Sequence, residues 1–292
     1  MTRKRIRMFV KGASPIRAGR SRPAIHPRSP APVASTASPS RGVLIGLGSA
    51  LGAFAAVGSL GLRVRPAPFP GVSGPIVPPE TVPLPEGLPA PVERYYRLTY
   101  GERVPVVTSG VISGRGTLRL FGIRFPLRFR FMHEAARNFR SYFELTVFGR
   151  PVIRADEHYR DGKFRQELPF GVEEGEPKND HSAALRMWAE WALWLPAMIL
   201  QDPLARWEAI DDETALLVVP YGDERERLVV RFDSATGKLL YAEAMKYKHP
   251  TDPTKTLWVN AIWLGDRPWA EFATEEIVLN APVDTSVTRK GP

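Results

Sequence analysis

Residues 42–62 read GVLIGLGSALGAFAAVGSLGL, a stretch with no charged side chain, bracketed by Arg41 on one side and Arg63 and Arg65 on the other. As a helix, positions 43–62 span roughly 30 Å, the thickness of a bilayer hydrocarbon core. That length predicts a transmembrane helix and divides the chain into a tail, an anchor and a domain. Basic residues outnumber acidic ones most strongly before the run, so the positive-inside rule places the N-terminus in the cytoplasm and the C-terminal domain outside it. The competing reading is a cleaved secretory signal. The run is longer than the usual apolar core of such a signal, and its one small-x-small site, Ala53-Phe54-Ala55, lies mid-run. The anchor is therefore read as uncleaved. Gly48 and Gly52 form one GxxxG pair, which general Gly and Ala richness explains as well as helix pairing does.

The formal charge of +9 invites a nucleic-acid reading, but its distribution argues against one. Residues 1–89 hold twelve Lys and Arg against Glu80 and Glu86, leaving 28 basic and 29 acidic residues for the rest of the chain. A nearly neutral domain lacks the footprint of a phosphate-backbone binder, so no nucleic-acid partner is expected. The chain has no cysteine, which excludes disulfides, thiolate metal sites and a lipoprotein cysteine.

Residues 1–41 are rich in Arg, Pro and Ser and read as a disordered basic tail. Residues 63–90 are Pro-rich and read as an extended stalk. From 91 onward an extracytoplasmic, β-rich domain is expected. It opens with a helix that has Val92, Tyr95, Tyr96 and Thr99 on one face and Gly101 as its stop. Residues 118–131 alternate Phe125, Leu127, Phe129 and Phe131 with Arg128 and Arg130, the period of a half-buried antiparallel strand whose arginines face solvent; Gly122 is read as a bend within it. Further strands are read at 142–148, 152–159, 163–168, 215–219, 227–232, 238–247, 256–264 and 269–279. Asp161-Gly162 marks a hairpin, and residues 233–237 form another turn.

One long helix interrupts the strands, capped by Asp180 or Ser182, with Ala184, Trp188, Trp191, Leu195 and Ile199 at helical spacing. Pro196 should kink or end it, and a second helix is read from Asp202-Pro203 carrying Leu204 and Trp207. Trp188, Trp191, Trp194 and Trp207 would then form one patch. Either the sheet covers it, or sheet and helix enclose an apolar cavity.

Motifs for catalysis are weak. In residues 133–137, HEAAR, Arg137 stands where a zincin needs its second His, and the segment follows a strand. Asp156, Glu157 and His158, with His181 and His249, have no spacing that demands a metal, although Asp156 and His158 share a strand face. The acidic run Glu208, Asp211, Asp212 and Glu213 lacks the alternating ligands and glycine of a calcium loop. No P-loop or GxSxG elbow occurs. No cofactor or metal is expected, no catalytic residue is assigned, and enzymatic activity is left open.

Several blocks are familiar in their order: RYYRLTYGERVPVVTSGVISGRGTLRLFGIRFPLRFRF, FGRPVIRADEHYRDGKFRQELPFGVEEGEP, WLPAMILQDPLARWEAIDD and RPWAEF. Over residues 88–283 the chain resembles an uncharacterised bacterial family that pairs an apolar N-terminal segment with a domain of unknown function. More loosely, the element order is similar to the lipoprotein-carrier (LolA-like) half-barrel, an opening helix and a curved antiparallel sheet with a helical plug. That resemblance implies an apolar pocket for acyl chains, and as fold analogy it implies no more.

The fold expected is therefore α+β and mainly antiparallel β: a curved sheet or incomplete barrel with a Trp-rich plug helix, preceded by one transmembrane helix. The function expected is binding of a hydrophobic or lipid-like ligand between Trp188, Trp191 and Trp194 on the plug and Phe125, Leu127, Phe129 and Phe131 on the wall. The alternative is a structural or interaction module of the cell envelope with a filled core. A hydrolase using Asp156 and His158 is a third reading, and no protein partner is assigned.

Overall fold

The computed structural model describes residues 58–73, 78–244, 257–259, 261–264 and 267–285. The tail, most of the apolar run and His249 lie outside these residues. Among the described residues no helix is long and apolar enough to cross a membrane.

The domain is a mainly antiparallel β structure. The strands are β1 (Thr81–Pro83), β2 (Arg103–Pro105), β3 (Ser109–Leu120), β4 (Ile123–Glu134), β5 (Asn138–Val147), β6 (Arg150–Arg160), β7 (Lys163–Leu168), β8 (Gly171–Glu174), β9 (Arg206–Ala209), β10 (Thr214–Tyr221), β11 (Glu224–Phe232), β12 (Leu239–Ala244), β13 (Leu257–Val259), β14 (Ala261–Leu264) and β15 (Arg267–Leu279). Helices α1 (Ala90–Tyr100), α2 (Pro177–Trp194) and α3 (Pro196–Gln201) accompany them. Strands β1 and β2 pair alone. The other thirteen form one sheet in the order β8-β7-β6-β5-β4-β3-β15-β14-β13-β12-β11-β10-β9, so β15 returns to lie against β3 and the sheet stays open.

Helices α2 and α3 sit in the chain between the edge strands β8 and β9. Helix α2 touches β6 and β7 near one edge and β10, β11 and β12 near the other. In a flat sheet β7 and β10 would lie about 48 Å apart at the usual strand spacing. An 18-residue helix is only about 27 Å long. The sheet therefore curves around it.

The sequence periods explain both elements. Along β4, Leu127, Phe129 and Phe131 point to the helix side with 0, 0 and 4% exposure, and Phe125 is half-buried there. On α2, Ala184, Leu185, Trp188, Trp191 and Ala192 are buried, and the helix then breaks at Leu195 (φ −133°) ahead of Pro196 as expected. Leu195 seats on β3 where Gly110 leaves room: a Cβ at that glycine would lie 2.5 Å from the leucine.

Four expectations are corrected. Residues 118–131 are not one bent strand but the end of β3 and the start of β4, joined by a two-residue turn at Phe121-Gly122. Helix α2 starts at Pro177, with Pro in its first turn, rather than at Asp180 or Ser182. No helix starts at Asp202. Its carboxylate accepts the Leu204 N–H at 2.9 Å, closing a local turn, and Trp207 lies on β9 rather than in the helical tryptophan patch. Arg128 and Arg130 face away from the core but are not left to solvent. Residues 63–73, expected as part of the stalk, lie over them. Arg115 donates to the Pro66 carbonyl (3.2 Å), Arg128 to Ala67 (3.3 Å) and Arg130 to Pro70, while Phe69 sits 4.3 Å beneath the Arg128 guanidinium.

The Phe121-Gly122 turn has positive φ at both positions, 49° and 79°. Asn or Asp suits the first position, and a bulky aromatic there is strained. The Phe121 side chain is 86% exposed and returns no packing. Phe121→Asn should raise stability by about 1 kcal/mol, readable as a shifted urea midpoint at unchanged slope.

Candidate functional site

The residues expected to line a pocket pack against one another. Trp188 and Trp191 are fully buried, Trp194 is half-buried, and all three pack with the β4 wall in one core. The Trp194 ring lies 5.7 Å from Phe131, Phe131 lies 4.8 Å from Phe129, and Phe272 of β15 closes on both at 5.5 and 5.1 Å. Plug and wall thus touch where the sequence reading placed a ligand. Of the seven residues, Trp188 also borders open space.

That space is a cleft of about 560 Å³ lined by Ala136, Arg137, Tyr159, Asp161, Gly162, Ala184, Met187, Trp188, Leu204, Pro220, Tyr221 and Gly222. The β4–β5 and β6–β7 turns supply one side, the β10–β11 turn the other, and α2 the floor. Arg137 stands at the rim, its guanidinium bound by both Asp202 oxygens (2.7 and 2.9 Å) and 6.0 Å from the Trp188 ring. Burial pushes the Tyr159 phenol up to about 12, so it stays neutral at physiological pH. Of the turn residues, Asp161-Gly162 stood out in the sequence as a hairpin, and Arg137 only as the residue that breaks a zincin pattern.

Two pairings hold α2 between the arms. Asp180 accepts the Phe164 N–H of β7 at 2.7 Å and pairs with Lys163 at 3.1 Å, and His181 meets Glu226 of β11 at 3.0 Å. Deeper in, Trp191 donates to His133 Nδ1 at 3.2 Å, and His133 Nε2 lies 3.2 Å from Glu190 without hydrogen-bond alignment. Arg186 pairs with Glu157 and approaches Glu190 at 3.5 Å. Burial works against the Arg186 charge, but the Glu157 and Glu190 carboxylates outweigh it and raise its pKa. Arg186→Ala would leave two carboxylates buried without their cation. A loss of about 3–5 kcal/mol in urea unfolding is expected.

Asp156 and His158 do share a face, opposite to the cleft, with His158 Nε2 3.1 Å from Asp156. Arg140 grips the same carboxylate through two bonds of 2.8 and 2.6 Å, and His158 Nδ1 lies 3.4 Å from the Thr285 carbonyl. This is a buried ionic cluster. Among the described residues no group of three or more His, Asp or Glu has metal-holding geometry. Burial raises the Asp156 pKa, while Arg140 and His158 lower it further, for a net value below the ordinary 3.8. A depressed carboxylate stabilises the fold above its unfolded value, and that contribution disappears as pH falls through the folded one. The stability gap between wild type and Asp156→Asn should thus be constant above about pH 5 and shrink below pH 4 in acid unfolding titrations.

The chain belongs to a family of unknown function, DUF6544, whose model matches residues 79–270. A comparison with curated proteins gives no match. Among solved structures, a match is the crystal structure of a DUF1329 family protein from Desulfovibrio piger ATCC 29098. It is 12% identical, the match covers 67% of this chain and 94% of that one, and the TM-score is 0.31.

Proposed function

We propose that this domain binds a hydrophobic or lipid-like ligand in the Trp188 cleft, just outside a membrane to which residues 43–62 anchor it. In this reading the curved sheet is an incomplete barrel with α2 as its plug, and the N-terminal tail is cytoplasmic. The observation that carries it is the cleft: its volume falls in the range of small-molecule sites, about 300–1,000 Å³. Its floor and walls offer Ala184, Met187, Trp188, Tyr159, Leu204 and Tyr221, with Arg137 and Asp161 as the polar residues at the rim. Such a lining suits an apolar chain inside and a polar end at the opening.

Binding of cis-parinaric acid to the purified full chain tests the reading. Leu204 is 42% exposed at the cleft, so Leu204→Glu should leave the fold intact. A charge beside the bound chain is expected to weaken the probe at least tenfold, about 1.4 kcal/mol. Equal binding by both proteins, or none by either, would overturn the proposal.

The second reading, an envelope interaction module with a filled core, is favoured by the Trp194–Phe131 contact. It predicts no bound lipid in mass spectrometry of the purified chain. It also predicts that Trp191→Ala costs about 3–5 kcal/mol with no effect on any ligand.

A further inference from the structure

Three turns on one edge of the sheet carry exposed phenylalanines. Strands β3 to β8 are consecutive antiparallel neighbours, so the β3–β4, β5–β6 and β7–β8 turns must lie on the same edge of this six-strand stretch. Their tips are Phe121, Phe148 and Phe170, exposed by 86, 50 and 72%. Alternate turns stand about 10 Å apart, two strand spacings. Ile123 and Val172, each two residues past a tip, and Val152 are also exposed, so the edge presents an apolar ridge rather than isolated side chains.

The turn chemistry sharpens the contrast between the two edges. Phe121-Gly122 and Phe148-Gly149 are two-residue turns with φ positive at both positions, and so is Asp161-Gly162 on the opposite edge. The opposite edge uses the residue pair such a turn prefers. This edge twice uses Phe at a backbone cost; Phe121 has no packing to offset it, while one side of the Phe148 ring lies against Gly61. The same edge is basic where these two turns fall. Arg119 and Arg124 flank Phe121, Arg150 follows Phe148, and the exposed Arg63 and Arg65 lie in residues 61–73. Arg124 is paired with Glu271 and Arg65 approaches Glu275 at 3.8 Å, which leaves Arg63, Arg119 and Arg150 as the positive charge of this edge. The third turn is followed by Glu173 and Glu174, so charge favours the first two as the principal contacts.

The chain itself indicates what covers this edge. Gly61, within the apolar run, accepts the Phe148 N–H at 2.8 Å. The run therefore ends against one of the three tips. We infer that the Phe121, Phe148 and Phe170 turns are a membrane-contact rim, dipping about 5–10 Å into the head-group region of an anionic bilayer. This rests on the anchor reading of residues 43–62. It adds that the domain sits on the membrane in one orientation instead of standing off on a stalk. The β4–β5 and β6–β7 turns of the cleft then face away from the bilayer.

The absence of cysteine makes the test direct. Full-length Phe121→Cys, Phe170→Cys and the control Arg160→Cys, exposed beside the opposite edge, each take one nitroxide label. Each is then incorporated in phosphatidylcholine vesicles containing about 30% phosphatidylglycerol. In electron paramagnetic resonance both Phe-site labels should show an oxygen-to-nickel-chelate accessibility ratio severalfold above that at position 160. Each tip is thereby read with the other phenylalanine intact. Flotation after alkaline carbonate washing reports the anchor separately. Tip labels as aqueous as position 160, on a chain that still floats, would overturn the rim while leaving the anchor. Lipid-exposed tips on a chain that carbonate strips off would support the rim and remove the anchor.

Discussion

The fold depends on α2 being held across both arms of an open sheet. A thirteen-strand sheet has one face too large to leave wet, and curling around a helix is the way this chain buries it. Asp180 fastens the helix to β7 and His181 fastens it to β11, while Trp188 and Trp191 fill the space between. The Arg186, Glu157 and Glu190 pairing adds a charged tie from the same helix to β6. The cleft exists because the arms approach each other over α2 without closing, leaving the turns at 136–137, 161–162 and 220–222 around its floor.

The opposite face of the sheet poses a different problem, an array of arginines that strand pairing forces close together. Arg128 and Arg115 are paired with Glu144 and Glu275, and Arg140 with Asp156. The two ends of the domain complete the covering. Residues 61–73 give backbone carbonyls and Phe69 to the arginines, and Val72 joins a small core with Val111, Met132, Val278 and Ala281. At the other end Thr285 is buried, and its hydroxyl donates to Glu134 at 2.7 Å. Burial lowers the Arg130 pKa, as expected of a cation shielded from water on this face.

Elements with strong period and ordinary turn chemistry were legible in sequence. The alternation from Phe125 to Phe131 gave the buried face of β4, Asp161-Gly162 gave the β6–β7 hairpin, and the tryptophan spacing gave α2. The Phe121-Gly122 hairpin was hidden because phenylalanine is the wrong residue for its backbone. Residues 109–117 were unassigned in sequence because their glycines interrupt any strand period; Gly114 and Gly116 sit close against β15 and Gly110 against Leu195. Trp207 matched a helical period by chance and belongs to β9. The covering by 61–73 follows from long-range contacts that proline content cannot report. For the site, the sequence named Trp188, which borders the cleft, together with Phe131 and Trp194, which pack against each other in the core. The cleft is assembled from three turns and a helix face far apart in the chain, and no local pattern links them.

On the proposed reading the opening beside Trp188, not the interior beside Trp194, receives an apolar chain. Crystals of the full chain grown with a long-chain fatty acid test it most directly. The account predicts an acyl chain lying along Met187, Trp188 and Tyr221, with its carboxyl end at the rim near Arg137. An acyl chain lodged between Trp194 and Phe131, or an empty cleft at saturating ligand, would contradict it.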